Sequence, residues 1–154
     1  GRYNLNLAEA ADWGTGAQGR RKLWACPMGG AYVMVLGMDI ASTAPGDLRD
    51  CGNLVRFMQS TNFHEMAPHD ELGFADTTYV LARPGDSYIL YSREASRELG
   101  LRDLPAGTWK LRWFDCASGR WIGESSVELP AGDRTWTRPQ RMGAEVALYI
   151  TRAG

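Results

Sequence analysis

The chain has 154 residues, 44% of them hydrophobic and 23% charged, and its 17 lysines and arginines nearly balance 18 aspartates and glutamates for a net charge of -1. That composition excludes a disordered chain, and without a basic stripe or a block of like charge it argues against nucleic acid or an anionic membrane as the main partner. The longest apolar stretch, Gly29 to Gly37, falls short of the roughly 20 residues of a membrane-spanning helix, and the chain falls short of the roughly 250 residues of a complete eightfold β/α barrel.

In chain order, Tyr3 to Ala8 alternates polar and apolar residues as a short strand does, and ends at Glu9 and Asp12. After the Gly14-Thr15-Gly16 breaker, Ala17 to Met28 reads as a helix with Ala17, Arg21, Trp24 and Met28 near one stripe, stopped by Gly29-Gly30. Arg20-Arg21-Lys22 reads as the solvated start of that helix. Ala31 to Leu36 is a continuous apolar run, the pattern of a strand buried on both faces as in a parallel sheet, with Asp39 following its carboxyl end. Pro45-Gly46-Asp47 opens a second helix with Leu48, Cys51, Leu54, Val55 and Met58 at helical spacing, fading at Ser60-Thr61-Asn62. Two such strand–helix units cannot bury their own sheet edges, which points to part of a larger parallel α/β structure.

The texture changes near Pro68 to Phe74. Beyond it, Thr78 to Ala82 and Ser87 to Ser92 form a hairpin pattern around Arg83-Pro84-Gly85-Asp86. Further short strands are expected at Leu99–Leu104, Thr108–Asp115, Arg120–Leu129, Thr135–Thr137 and Ala144–Thr151, separated by Pro/Gly turns. This spacing predicts a small antiparallel β-sandwich. Alternation from Trp109 to Asp115 puts Trp109, Leu111 and Trp113 on one face, assigned to the core, and Lys110, Arg112 and Phe114 on the other. The expected fold class is therefore α+β overall: a partial β/α barrel segment of two strand–helix units over residues 1–70, then an antiparallel sandwich over 71–154.

Two residue patterns carry a family resemblance. Ser87-Tyr88-Ile89-Leu90-Tyr91-Ser92, then Leu104-Pro105-Ala106-Gly107-Thr108-Trp109, then Trp113-Phe114-Asp115 with Gly119, and finally Val146 to Ile150 together resemble the small carboxy-terminal β-sandwich that carries a collagen-binding label and follows a glycoside-hydrolase barrel in many secreted bacterial proteins. That family usually has Pro after the Asp, where this chain has Cys116. Arg21-Lys22-Leu23-Trp24 and Gly29-Gly30-Ala31 are similar to the penultimate helix and final strand of the preceding barrel. The resemblance implies a carboxy-terminal segment of a glycoside-hydrolase-like protein, secreted or periplasmic, whose sandwich buttresses the rest of the barrel and binds polysaccharide. It also implies that Leu5 to Ala8 is barrel strand seven, which puts Glu9 where such enzymes carry the catalytic nucleophile.

Retaining hydrolysis needs two carboxyl groups about 5–5.5 Å apart. Glu9 supplies one at most and strand four, the source of the other, is absent, so the isolated chain is not expected to be active. A solvated acid at a strand end is the plain alternative for Glu9. Asp12, Trp13 and Asp39 follow strand ends, where barrel sites are built, and are candidate sugar contacts beside ordinary loop roles. Trp121 and Trp136 lie next to turns and are candidate stacking platforms, against simple packing at the sandwich rim. A stand-alone carbohydrate- or matrix-binding module without activity is the alternative function.

Cys26, Cys51 and Cys116 stand far apart, and His64 and His69 do not share a helical face, so no metal site is expected. The thiols read as buried or incidental, with a Cys26–Cys51 disulfide left open. The phosphate-cradling and nucleophile-elbow patterns are absent, and no cofactor is expected. Opening on Gly1-Arg2-Tyr3, with neither an initiator Met nor a signal-peptide apolar region, the chain reads as the continuation of a longer product.

Overall fold

A computed structural model describes residues 16–31 and 44–153. Among them are two α-helices, α1 (Gly16–Met28) and α2 (Pro45–Gln59), and nine strands: β1 (Ala67–Pro68), β2 (Gly73–Ala75), β3 (Tyr79–Arg83), β4 (Ser87–Ser92), β5 (Glu98–Leu104), β6 (Gly107–Asp115), β7 (Arg120–Leu129), β8 (Gly132–Thr137) and β9 (Val146–Arg152). The strands form a six-stranded sheet in the order β1-β3-β4-β9-β6-β7 and a three-stranded sheet in the order β2-β5-β8. Every described pairing is antiparallel and the described residues form no closed barrel. The fold is α+β. The strands expected at Tyr3–Ala8 and, beyond Ala31, at Tyr32–Leu36 lie outside the described residues.

Local chemistry explains the element ends. Gly30 takes a left-handed φ of +78° and the amides of Gly30 and Ala31 reach back to the carbonyls of Pro27 and Cys26, so α1 stops in a Schellman cap. Pro45 sits in the first turn of α2, where its missing N–H costs nothing, with Asp47 at the positive end and Arg56 at the negative one. Between β3 and β4, Gly85 has φ +86° and Asp86 N–H donates to the Arg83 carbonyl at 3.0 Å, the signature of a type II turn with Pro84 ahead of the glycine. The strands expected from Thr78 onward are present, with ends moved by up to three residues. The added ones, β1 and β2, are too short to carry a pattern.

The six-stranded sheet is a middle layer. Its inner face, with Val80, Tyr88, Leu90, Trp109, Leu111, Trp113, Leu148 and Ile150, packs on Leu99, Leu101 and Leu104 of the small sheet. Its outer face, with Leu81, Ile89, Tyr91, Phe114, Ala147 and Tyr149, packs on Leu23, Trp24 and Met28 of α1 and Leu54, Phe57 and Met58 of α2. Covered on both sides, β4 is buried at all six positions. Trp109, Leu111 and Trp113 are core, as expected. Phe114, assigned by alternation to the face away from that core, is also buried, because the helix pair builds a second core there.

The inward faces of the helices are rotated from the expected stripes. In α1 the buried positions are Gly19, Leu23, Trp24 and Met28, while Ala17 and Arg21 are exposed. In α2 they are Asp50, Asn53, Leu54, Phe57 and Met58, while Val55 is 52% exposed. Apolar periodicity misplaced these stripes because polar residues share the inner face of α2.

Candidate functional site at the helix–sheet junction

The junction between the helix pair and the sheet is built around aromatic rings. Trp24 lies parallel to Tyr91 with centroids 5.4 Å apart, and meets Phe57 at 4.9 Å and Phe114 at 5.9 Å. Phe57 in turn touches Phe114 at 5.0 Å and Trp121 at 5.3 Å, joining α1, α2, β4, β6 and β7 in one cluster. These offset and tilted geometries are those that aromatic quadrupoles favour.

A charged network is set into this apolar contact. Arg20, on the sheet-facing side of α1 one turn before Trp24, donates from Nε to Glu145 at 2.6 Å and lies 3.5 Å from Asp50 of α2. Tyr91 donates its hydroxyl to the other oxygen of Glu145 at 2.6 Å. Asp50 and Glu145 are almost wholly buried. Arg20 is thus no solvated helix start; an arginine left in water there would leave both carboxylates buried without a cation. Burial depresses the guanidinium, but the bond to Glu145 and the charges of Glu145 and Asp50 outweigh it and hold Arg20 above its ordinary range. Burial, then Glu145, pushes the Tyr91 phenol far up, and the same two influences push up the enclosed Cys116 thiol. Asp50 is raised by burial, against the opposing pull of Arg20.

The Trp113-Phe114-Asp115 segment and Gly119 form the second fastening. Asp115 accepts from Ala117 N–H at 3.1 Å and Gly143 N–H at 3.4 Å, and its carbonyl accepts from Gly119 N–H at 2.8 Å. Gly119 has φ +72°, and a side chain there would overlap Asn53 of α2. Two constraints, a left-handed backbone and a close helix, therefore demand glycine at one position. Asn53 is buried and accepts from Arg56, while its Nδ2 and the Trp24 Nε1 are buried without a partner among the described residues.

Asp50 and Glu145 are 7% and 5% exposed and share the Arg20 guanidinium. Of the residues expected from sequence to touch sugar, Glu9, Asp12, Trp13 and Asp39 lie outside the described residues. Trp121 is half-buried, held by Phe57 and Phe114 with the Arg112 guanidinium 3.9 Å over its ring. Trp136 sits opposite Leu99 on the inward side of β8 and packs against the sandwich core. Both rings are thus engaged in packing. His64 and His69 lie beside Glu65 and Glu71 at the surface, and no group of ligands able to hold a metal occurs among the described residues. A shallow polar groove of about 560 Å³ is lined by Ser96, Arg97, Glu98, Thr137, Arg138 and Gln140. Arg138 there is spent on the carbonyls of Ala95, Met142 and Gly143.

Arg20, Asp50, Tyr91 and Glu145 were not singled out from sequence as a group. Arg20 falls in a basic run that reads as surface, and Glu145 follows a Gly-Ala step with no pattern of its own.

No family model matches the chain and no curated protein matches it. Among solved structures, it is similar to a glycoside hydrolase family 5 protein from Bacteroides vulgatus, with a TM-score of 0.63 and 13% identity over 89% of this chain and 36% of that one. A second structure, described as a glycoside hydrolase, gives a TM-score of 0.52 and 14% identity over 78% of this chain and 30% of that one. The chain spans about a third of the length of these proteins, and at such identities the likeness is one of fold. The collagen-label resemblance finds no matching family model. The chain is structurally like part of the glycoside hydrolase family 5 proteins.

Proposed function

We propose that this chain is the carboxy-terminal segment of a glycoside-hydrolase-like protein, in which the sandwich braces the last β/α units of a barrel completed by the rest of the polypeptide. The observation that carries this reading is the junction. α1 and α2 do not hang from the sandwich by a linker but share a continuous aromatic core and a buried ion network with its larger sheet. A contact of that kind fixes one body to another, as a brace requires, whereas a tethered binding module needs neither. Two solved glycoside hydrolases about three times as long contain a region of the same fold, which supports the same reading. The tryptophans that a stand-alone glycan-binding module would use, Trp121 and Trp136, are partly buried and packed against the two cores, which favours the brace. On this reading the chain contributes position rather than a complete catalytic pair.

The test is the mass of the native product in its source, detected with an antibody against residues 77–151. A band well above 17.0 kDa is expected, with glycoside-hydrolase activity in the same fraction. A sole band at the mass of this chain would overturn the proposal.

A further inference from the structure

Among the described residues, the junction buries more negative than positive charge. Asp50 and Glu145 are 7% and 5% exposed and share one cation, Arg20. The other charged and titratable groups around them do not restore the balance. On α2, Asp47 accepts the Gly16 N–H and raises Asp50, while the exposed Arg49 lowers it by less. Cys51 is raised by burial and by Asp50, and so stays a neutral thiol. Beyond β4, Arg93 is exposed and turned to the Tyr79 hydroxyl. At the end of β6, Asp115 is a further carboxylate and Cys116 an enclosed thiol. Two buried carboxylates facing one guanidinium are most stable when they hold one proton between them, because an unbalanced charge away from water costs more than a neutral acid.

Geometry selects the proton's site. Glu145 has the closer arm of Arg20 at 2.6 Å on one oxygen and the Tyr91 hydroxyl at 2.6 Å on the other. Among the described residues, Asp50 has only the 3.5 Å arm. A proton on Glu145 would compete with two short bonds, and one on Asp50 disturbs a single long contact.

We propose that Asp50 is the proton-accepting arm of the junction, so that the helix pair is held against the sheet more firmly once Asp50 has taken up its proton than at neutral pH. The raised position of Asp50, caused first by burial, agrees with this. An acid raised by folding contributes stability that is present at low pH and lost as pH rises from its unfolded value through its folded one. The effect has the opposite sign to ordinary acid denaturation. The inference concerns the junction itself and does not rest on the proposed place of the chain in a hydrolase.

The experiment is a carboxyl-carbon NMR titration of Asp50 in the whole chain, with urea unfolding of wild type, Asp50→Asn and Glu145→Gln at about pH 7 and about pH 5. Asp50 is expected to titrate above the ordinary aspartate value of about 3.9. The folding equilibrium of wild type should rise on acidification by roughly a few-fold relative to Asp50→Asn, which cannot take up the proton. In Glu145→Gln the excess charge is gone, and Asp50 should titrate lower than in wild type. An Asp50 titrating at or below the ordinary value, or unchanged by Glu145→Gln, would overturn the proposal. If a variant does not fold, the wild-type titration decides alone.

Discussion

The large sheet has a core on each side, and the two are made differently. The core between the sheets is made almost wholly of aliphatic and aromatic side chains, among them Trp109, which sends its Nε1 hydrogen to the Pro105 carbonyl at 3.0 Å. The core between helices and sheet combines aromatic rings with Arg20, Asp50, Glu145 and the Tyr91 hydroxyl. Hydrophobic burial is strong but tolerant of sliding, while a guanidinium between two carboxylates is satisfied in one arrangement. The sandwich therefore draws stability from the first kind of core, and the helix pair draws its fixed position from the second.

The largest way to break this comparison is to remove one partner. A chain lacking residues 1–70 keeps the sandwich interior but uncovers Leu81, Ile89, Tyr91, Phe114 and Tyr149. It is expected to self-associate in sedimentation at concentrations where the full chain does not, since a contiguous apolar face of this kind seeks a cover. A monomeric product would show that the outer face needs none. Within the full chain, Trp109→Ala should cost about 3–5 kcal/mol in urea unfolding, from lost burial and the cavity left behind. Arg20→Ala should cost about 3 kcal/mol by stranding two buried carboxylates, and should loosen the helices before the sandwich in hydrogen exchange. Combined with Glu145→Gln it should cost less than the sum of the two single changes, whereas additivity would mean the groups do not act together. Gly119→Ala should cost about 1–3 kcal/mol, with Asn53→Ala restoring the part due to overlap and leaving the part due to φ +72°. The smallest effect has the opposite sign. Ala75 holds φ 55°, so Ala75→Gly should stabilise the small sheet by about 0.5 kcal/mol in the same unfolding assay.

The sandwich was legible in the sequence because its strands alternate and its turns carry Pro and Gly where the backbone needs them, as at Pro84-Gly85 and Gly119. The helices were legible as helices but not in their orientation. Arg20 and Arg21 are indistinguishable by composition, yet one bonds to Glu145 and the other faces water. The inward Asp50 and Asn53 are invisible to a reading that looks for apolar stripes, because their burial depends on partners far along the chain. Trp121 shows the same dependence: the turn beside it left stacking platform and rim packing both open, and the helix supplying its partner Phe57 lies more than sixty residues earlier. Local pattern reveals an element, while long-range pairing decides which side of it is wet.

The two central strands have a consequence for how the chain avoids error. β4 and β9 pair from Ser87 with Thr151 to Ser92 with Val146, sending Tyr88, Leu90, Leu148 and Ile150 one way and Ile89, Tyr91, Ala147 and Tyr149 the other. A slip of one residue in an ordinary half-exposed strand exchanges core for solvent. Here it would exchange one core for the other, sending the Tyr91 hydroxyl into the dry sandwich and Leu90 toward Glu145. Hydrophobicity alone would hardly notice the mistake, since both destinations are greasy. The polar partners of the tyrosines tell the two sides apart: Tyr91 donates to Glu145 at 2.6 Å and Tyr149 to Asn62 at 2.8 Å on the outer side, Tyr88 accepts from Gly85 N–H at 2.7 Å on the inner one, and together they act as proofreading marks for the alignment of the whole sheet.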